Sequence, residues 1–456
     1  MILLADDLTP ILQKLRPDLF PIEHPMGILA VLLAVLAVIF WFGDRTLGKK
    51  VFGIVPKLVF CYFVPTTLTT LGVLPAESEL YVWIKVFMLP ASLLLLVLAL
   101  DVPGILRLGP KAGIMLLAGT AGGVIGAPLA YLISAAIFGV SDTAAADVGQ
   151  AGITASTLWT LPADTWQGMT SMSGSWIGGG ANMVALQQIC ECSDEMFSLM
   201  VIVDVFVANI WMGVLLYGAG VQNKIDRWTG ANTAAIEDLK RRIAAYEEKV
   251  TRVPTLTDLI IIVAFGFVVA WICYVGGNWL AETLATVDQK ATAAERLLNP
   301  EAGEVMKPIL SATTWKFILI TTIGVVLSFT RARNLEGAGA SKVGSVFLYI
   351  LVASIGAHAS FLSMAQAPAL VVMGFIWMAF HIVVLLVVGY VIKAPIFFVA
   401  VGSQANIGGA ASAPIVASAF HPTLAPVGVL LAVAGYVLGT YAGLLIMVLL
   451  KLVAGA

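Results

Sequence analysis

"GSWIGGGANMVAL", residues 174–186, places glycine, serine and asparagine where a membrane-spanning helix would carry leucine. A second stretch, "GSQANIGGAASAP" at 402–414, does the same near the other end of the chain. Glycine permits a tight reversal and brings backbone close to a ligand. Lipid cannot satisfy a freed N–H or C=O, so chain unwound at membrane depth must be buried in protein or line a cavity. Whether these stretches cross or turn back decides the fold.

The surrounding chain is a membrane protein by composition. Its 456 residues are 60% hydrophobic and 11% charged, with a mean hydropathy of +0.97; a soluble domain carries about 25% charged residues. A formal net charge of -2 gives no ground for a nucleic-acid partner. The N-terminus, "MILLADDLTPILQKLRPDLF", has no basic leader, and Asp6 and Asp7 interrupt it. Leu8, Ile11, Leu12, Leu15 and Leu19 fall at helical spacing, which predicts an interfacial segment over 1–25. The four cysteines show no metal-ligand framework, and Cys190 and Cys192 read as free thiols, with a strained disulfide as the alternative. No cofactor is expected beyond a Na⁺ ion.

Apolar runs lie near 26–43, 54–74, 81–101, 111–139, 196–220, 256–280, 309–330, 345–363, 369–392 and 425–450. The glycine-broken segments lie near 166–190 and 395–420. Cytoplasmic loops carry the excess of Lys and Arg. If both broken segments re-enter and leave on the same side, one face holds 17 of the 25 basic residues, among them Arg45, Lys111, Lys224, Arg331 and Lys393. If the first one crosses, the basic 221–253 loop moves outside and the pattern collapses from there on. The re-entrant reading therefore predicts ten crossings, two hairpins, and both termini outside the cell (inner) membrane.

The chain then divides into a first membrane repeat at 26–220, a connecting amphipathic cytoplasmic helix at 221–253, and a second repeat at 254–456, with 281–308 as an external linker. Ile236, Leu239, Ile243, Tyr246 and Val250 carry the amphipathic spacing. Ile177-Gly178-Gly179-Gly180-Ala181 aligns with Ile407-Gly408-Gly409-Ala410-Ala411 at an offset of 230, which persists where Asn209 meets Gly439 and Gly213 meets Gly443. Five crossings per half is odd, so the second copy starts from the opposite side. Such inverted repeats mark secondary transporters, whose sites lie near mid-bilayer at broken helices.

Each tip ends one half-helix in bare carbonyls and starts another, near Ala181–Asn182 or Ala411–Ser412, in bare N–H groups. A tip can thus hold a cation and an anion through backbone alone. The candidate solute site is Ser175, Gly178, Gly179, Gly180 and Asn182 on the first tip, with Ser403, Gln404, Asn406, Gly408, Gly409 and Ser412 on the second. Close helix packing is the plainer use of such glycines. Asp204 lies inside the next helix, where a carboxylate is expensive and marks a functional site by default. It is the candidate partner of Na⁺ or a proton, with Asn209 and His358 as further ion-coupling candidates. His381 reads as a hydrogen-bonded packing residue, and Asp101 and Lys316 as boundary residues that snorkel.

The two glycine motifs resemble the uncharacterised membrane protein family catalogued as domain of unknown function 819, and the resemblance covers nearly the whole chain. That family is similar to a larger group of inverted-repeat carriers, including sodium–glutamate, hydroxycarboxylate and bile-acid symporters and cation/proton antiporters. The resemblance implies a mobile transport domain sliding against a scaffold in a homodimer. In the family pattern a proline follows the second glycine pair; here Ala410 stands there and Pro414 comes later.

The reading that follows is an all-α polytopic membrane protein working as an ion-coupled secondary transporter of elevator type. Its cargo would be a small polar or anionic solute such as an amino acid, organic acid or short peptide. A cation/proton antiporter without organic cargo is the alternative. No "GxxxxGK[ST]" phosphate loop supports ATP drive. A pore lacks charged rings at the tips. A hydrolase built on Ser173 and a histidine lacks the first glycine of a nucleophile turn, where Ser171 stands.

Overall fold

The computed structural model describes residues 21–52, 57–101, 105, 108–142, 159–231, 253–295, 311–358, 368–421 and 424–455. The interfacial helix expected before residue 21, the amphipathic spacing at 236–250 and the linker beyond 295 lie outside them. The described chain is built of helices. The first are α1 (Pro25–Gly43), α2 (Thr46–Phe52), α3 (Lys57–Thr70), α4 (Glu79–Leu98) and α5 (Pro110–Phe138). Then come α6 (Thr165–Gly178), α7 (Gly180–Ile189), α8 (Asp194–Gly220) and α9 (Gln222–Thr229). After the connecting region follow α10 (Leu256–Glu295), α11 (Ala312–Ser328), a 3-10 turn (Arg331–Ala338) and α12 (Ala340–His358). The last are α13 (Pro368–Val391), α14 (Ile396–Ile407), α15 (Gly409–Phe420) and α16 (Ala425–Ala454).

Every one of the ten expected apolar runs carries a helix. Eight of the described helices are long and apolar enough to cross a membrane. Of the other two, α3 is 14 residues with Pro65 inside it, and α11 is 17 residues followed by a 92° bend into the 3-10 turn. The protein is a multi-pass membrane protein.

One expectation is corrected, that of Asp101, and one is refined: the stretch from residue 281, expected as a linker, begins as helix, because α10 runs on to Glu295. The stretch "AETLATVDQKATAAE" is rich in Ala, Leu, Glu and Lys, strong helix formers, so the helix outlasts its apolar run. Asp101 does not snorkel. It is buried and accepts from Arg333 at 2.6 Å, because the 3-10 turn brings a guanidinium to the end of α4. Lys316, half-buried, lays its ammonium over the Phe317 ring at 4.7 Å.

The helices sort into two packed groups. The first is α1–α4 with α10–α12; the second is α5–α9 with α13–α16. Each half of the chain thus gives helices to one group and then a helix, a broken pair and a helix to the other. The groups meet where α4, α11 and α12 touch α7, α8 and α16. Polar ties cross this seam: Thr321 with Thr440 at 3.0 Å, Thr322 with Tyr441 at 2.7 Å, and Lys85 with Asp194 at 3.3 Å.

Candidate functional site

The first broken segment turns back on itself. Ser171 Oγ donates to the Met183 carbonyl at 3.0 Å, and Gln167 Nε2 donates to the Cys190 carbonyl at 3.0 Å. A continuous helix would separate the second pair by roughly 35 Å at about 1.5 Å per residue. Gly179 makes the turn at φ +90°, in the region that favours glycine. The second segment turns between Gln404 and Ser412, whose side chains bond at 2.7 Å although eight residues apart. Gly408 ends α14 and Gly409, at φ +56°, begins α15. Both second half-helices start slightly earlier than expected, at Gly180 and Gly409.

The hairpins enter from opposite ends of α8, a helix of 27 residues and roughly 40 Å. At its start, Ser193 caps the helix by accepting from Met196 N and donates to Asp164 Oδ2 at 3.1 Å, beside the base of α6. Beyond its end, Asp226 accepts from Ile396 N at 2.8 Å, the first residue of α14. Asp226 is buried, and burial pushes its carboxyl above the ordinary range despite that hydrogen bond. Helix α5 repeats the pattern: Lys111 Nζ donates to the Lys393 carbonyl at 2.8 Å, while Leu161 N donates to Gly139 O at 3.1 Å.

The tips meet. A Cβ on Gly409 would stand 3.4 Å from Gly179 Cα. Helix α16 brackets them: a Cβ on Gly435 would lie 2.8 Å from the Ile177 carbonyl oxygen and 3.2 Å from that of Ala405. One on Gly439 would lie 2.7 Å from Gly178 Cα. These glycines therefore serve close packing and reversal together.

The predicted residues divide by use. Asn182 Nδ2 donates to Tyr436 O at 2.8 Å and Thr440 Oγ1 at 2.9 Å, tying the first tip to α16. Asn406 is tied to α5, donating to Leu116 O at 2.9 Å and accepting from Thr120 Oγ1 at 2.9 Å. His381 Nδ1 lies 2.9 Å from Gly119 O and so carries its proton there; Nε2, 2.9 Å from Ser403 Oγ, then accepts. Ser403 in turn accepts from Trp211 Nε1 at 2.8 Å, which leaves the histidine satisfied as a packing residue. Asn209 bonds within its own helix, to Val205 O at 2.6 Å. The His358 side chain lies outside the described residues. Ser173 donates to Thr170 O and is fully buried. Two tip acceptors, Asn182 Oδ1 and Gln404 Oε1, are buried without a hydrogen-bond partner.

Ser175, Gly180 and Asp204 come together. Asp204 accepts from Ser175 Oγ at 2.7 Å and from Trp176 Nε1 at 2.8 Å. Trp176 was not singled out from the sequence, although it sits inside the first motif; its ring also packs on Trp377 at 4.7 Å. Ser175, Gly180 and Asp204 line a cleft on the seam between the two helix groups, closed from the other side by Tyr62, Val352 and Ile355. Among the described residues no group of three or more His, Cys, Asp or Glu could hold a metal ion.

The chain resembles a protein of Bacillus subtilis (strain 168) named "Uncharacterized membrane protein YjcL". The two are 22% identical over 391 residues, covering 82% of this chain and 85% of that protein. Residues 30–156 and 151–453 match the family described as "Protein of unknown function (DUF819)", and the chain belongs to that family.

Proposed function

We propose that the protein is an ion-coupled secondary transporter that carries a small solute past the seam between its two helix groups. The observation that carries this reading is the pair of hairpins entering from opposite ends of α8 and touching at Gly179 and Gly409. Broken helices meeting near the middle of a bundle expose backbone groups to a site reachable in turn from each side. The second group, with both hairpins and Asp204, is the moving part, and the first is the scaffold. Among the described residues the polar ties across the seam are hydroxyl pairs and one ion pair, which supports a sliding contact rather than a fused core.

The coupling ion is Na⁺ or H⁺, and it reaches Asp204 when the charged end of the solute does not hold it. For Na⁺, the free acceptors Asn182 Oδ1 and Gln404 Oε1 support an oxygen-rich surrounding at the tips. The cytoplasmic face is the one with Lys111, Lys224, Arg227 and Lys393, where the second hairpin begins, in the inner membrane of the cell.

Uptake into proteoliposomes tests the reading. Solute accumulation is expected under an imposed Na⁺ or H⁺ gradient and is expected to vanish when that gradient is collapsed. Solute flux that ignores both gradients, or single-channel currents in a planar bilayer, would overturn it.

A further inference from the structure

We propose that the cleft beside Asp204 binds a solute carrying an ammonium group on a small apolar body. This rests on the carrier reading above and narrows its cargo. Asp204 supplies the one formal charge among the described residues of the lining. Both its oxygens accept from neutral donors, Ser175 and Trp176, so the negative charge is oriented without being neutralised. A carboxylate so placed favours a cation and repels an anion.

A second observation points to a ligand. The Tyr62 hydroxyl, on a residue 3% exposed, belongs to the same lining and has the Ser198 hydroxyl as its hydrogen-bonding neighbour. Ser198 gives its own proton to the Asp194 carbonyl at 2.6 Å, so Tyr62 is the donor of that pair and its oxygen receives no proton. A buried phenol oxygen that accepts nothing leaves an acceptor for a donor that enters the cleft. An ammonium has three donors, enough for the Asp204 carboxylate and the phenol oxygen together.

The rest of the wall is apolar: Met183, Val184, Phe197, Val201, Val352 and Ile355. A bare Na⁺ ion would make no use of such a wall, whereas a branched hydrocarbon body would. The cargo expected from the sequence included anions; the cleft favours the amine end of that range.

Binding of isoamylamine, isovalerate and isoamyl alcohol to the purified full-length protein separates charge from shape, because the three share one hydrocarbon body. Saturable calorimetric binding is expected for isoamylamine, with the other two at least tenfold weaker. Asp204→Asn is expected to weaken isoamylamine at least tenfold, and Val352→Phe to weaken it by filling the wall while leaving the melting temperature near that of the wild type. Isovalerate binding as well as isoamylamine, unchanged affinity in Asp204→Asn, or no binding of isoamylamine would each overturn the proposal. The carrier reading fails separately. Amine binding without gradient-driven flux of any solute sinks the carrier and leaves the cleft assignment, whereas gradient-driven uptake of carboxylates without amine binding does the reverse.

Discussion

Gly179 and Gly409, the turning residues of two hairpins that begin at opposite ends of α8, lie against each other with no side chain between them. The constant sequence offset of 230 links the same two residues. Their contact brings the two halves of the chain together at one point, and the Asp204 cleft opens beside it.

The packing around this point gives the first prediction. A Cβ on Gly439 would stand 2.7 Å from Gly178 Cα and 2.9 Å from Asn182 Nδ2, so Gly439→Ala must push the first tip away from α16. Overpacking of this kind costs about 1–3 kcal/mol. The melting temperature and uptake of Gly439→Ala are both expected to fall. Gly213→Ala, where an added Cβ meets nothing within 4 Å, is expected to leave both unchanged or to raise the first slightly.

Asp204→Asn keeps the size of the side chain and one acceptor for the Ser175 and Trp176 donors. The protein is expected to fold and elute as the wild type does, while gradient-driven uptake drops at least tenfold. That loss corresponds to about 1.4 kcal/mol or more. Uptake equal to wild type would remove Asp204 from the coupling step.

Asp226 gives a pH dependence with a definite sign. Burial raises its folded-state pKa above the unfolded value of about 3.9. The folded protein therefore holds this proton more tightly than the unfolded chain does. Its contribution to stability is complete below about pH 4 and is lost as pH rises through the folded-state value. Melting temperatures of wild type and Asp226→Asn, compared from pH 3.5 to pH 7 (about the span in which a raised carboxyl titrates), are expected to show wild type losing ground to the variant as pH rises. A constant difference would contradict the burial argument.

Arg333→Met removes the guanidinium from buried Asp101. Breaking a buried pair costs about 3–5 kcal/mol, and the part-exposure of Arg333 reduces this to about 1–3 kcal/mol. Restoring stability with the added change Asp101→Asn would show that the stranded charge, and not lost packing, is responsible. Chemical denaturation of the two variants measures both effects.

Much of the frame was legible because membrane helices announce themselves in apolar length, and reversals within them in glycine. The re-entrant turn at Gly178–Gly180 follows from charge distribution on the flanking loops, before any geometry. What the sequence concealed were partners distant along the chain. Nothing local links Asp101 to Arg333, or Ser403 to Trp211 and His381, since each pair forms only when separate helices pack. The tip residues Asn182 and Asn406 read as ligand donors, yet both spend their amides on neighbouring helices. Trp176 could have been found: an indole N–H beside a glycine pair, with a carboxylate on the next helix, is a donor in need of an acceptor. The apolar run of α10 ends near residue 280 while the helix continues to Glu295, because apolar length marks the span and helix propensity marks the helix.

The most direct test of the whole account is disulfide trapping of the tips. In a background with Cys61, Cys190, Cys192 and Cys273 replaced, the pair Gly179→Cys and Gly409→Cys places two thiols on touching residues. Disulfides form when Cα atoms lie about 4.4–6.8 Å apart. Mild oxidation is expected to give an intramolecular cross-link, seen by mass spectrometry of the digested protein, and to stop uptake reversibly. A folded double variant whose two thiols stay free under the same oxidant would contradict hairpins that meet.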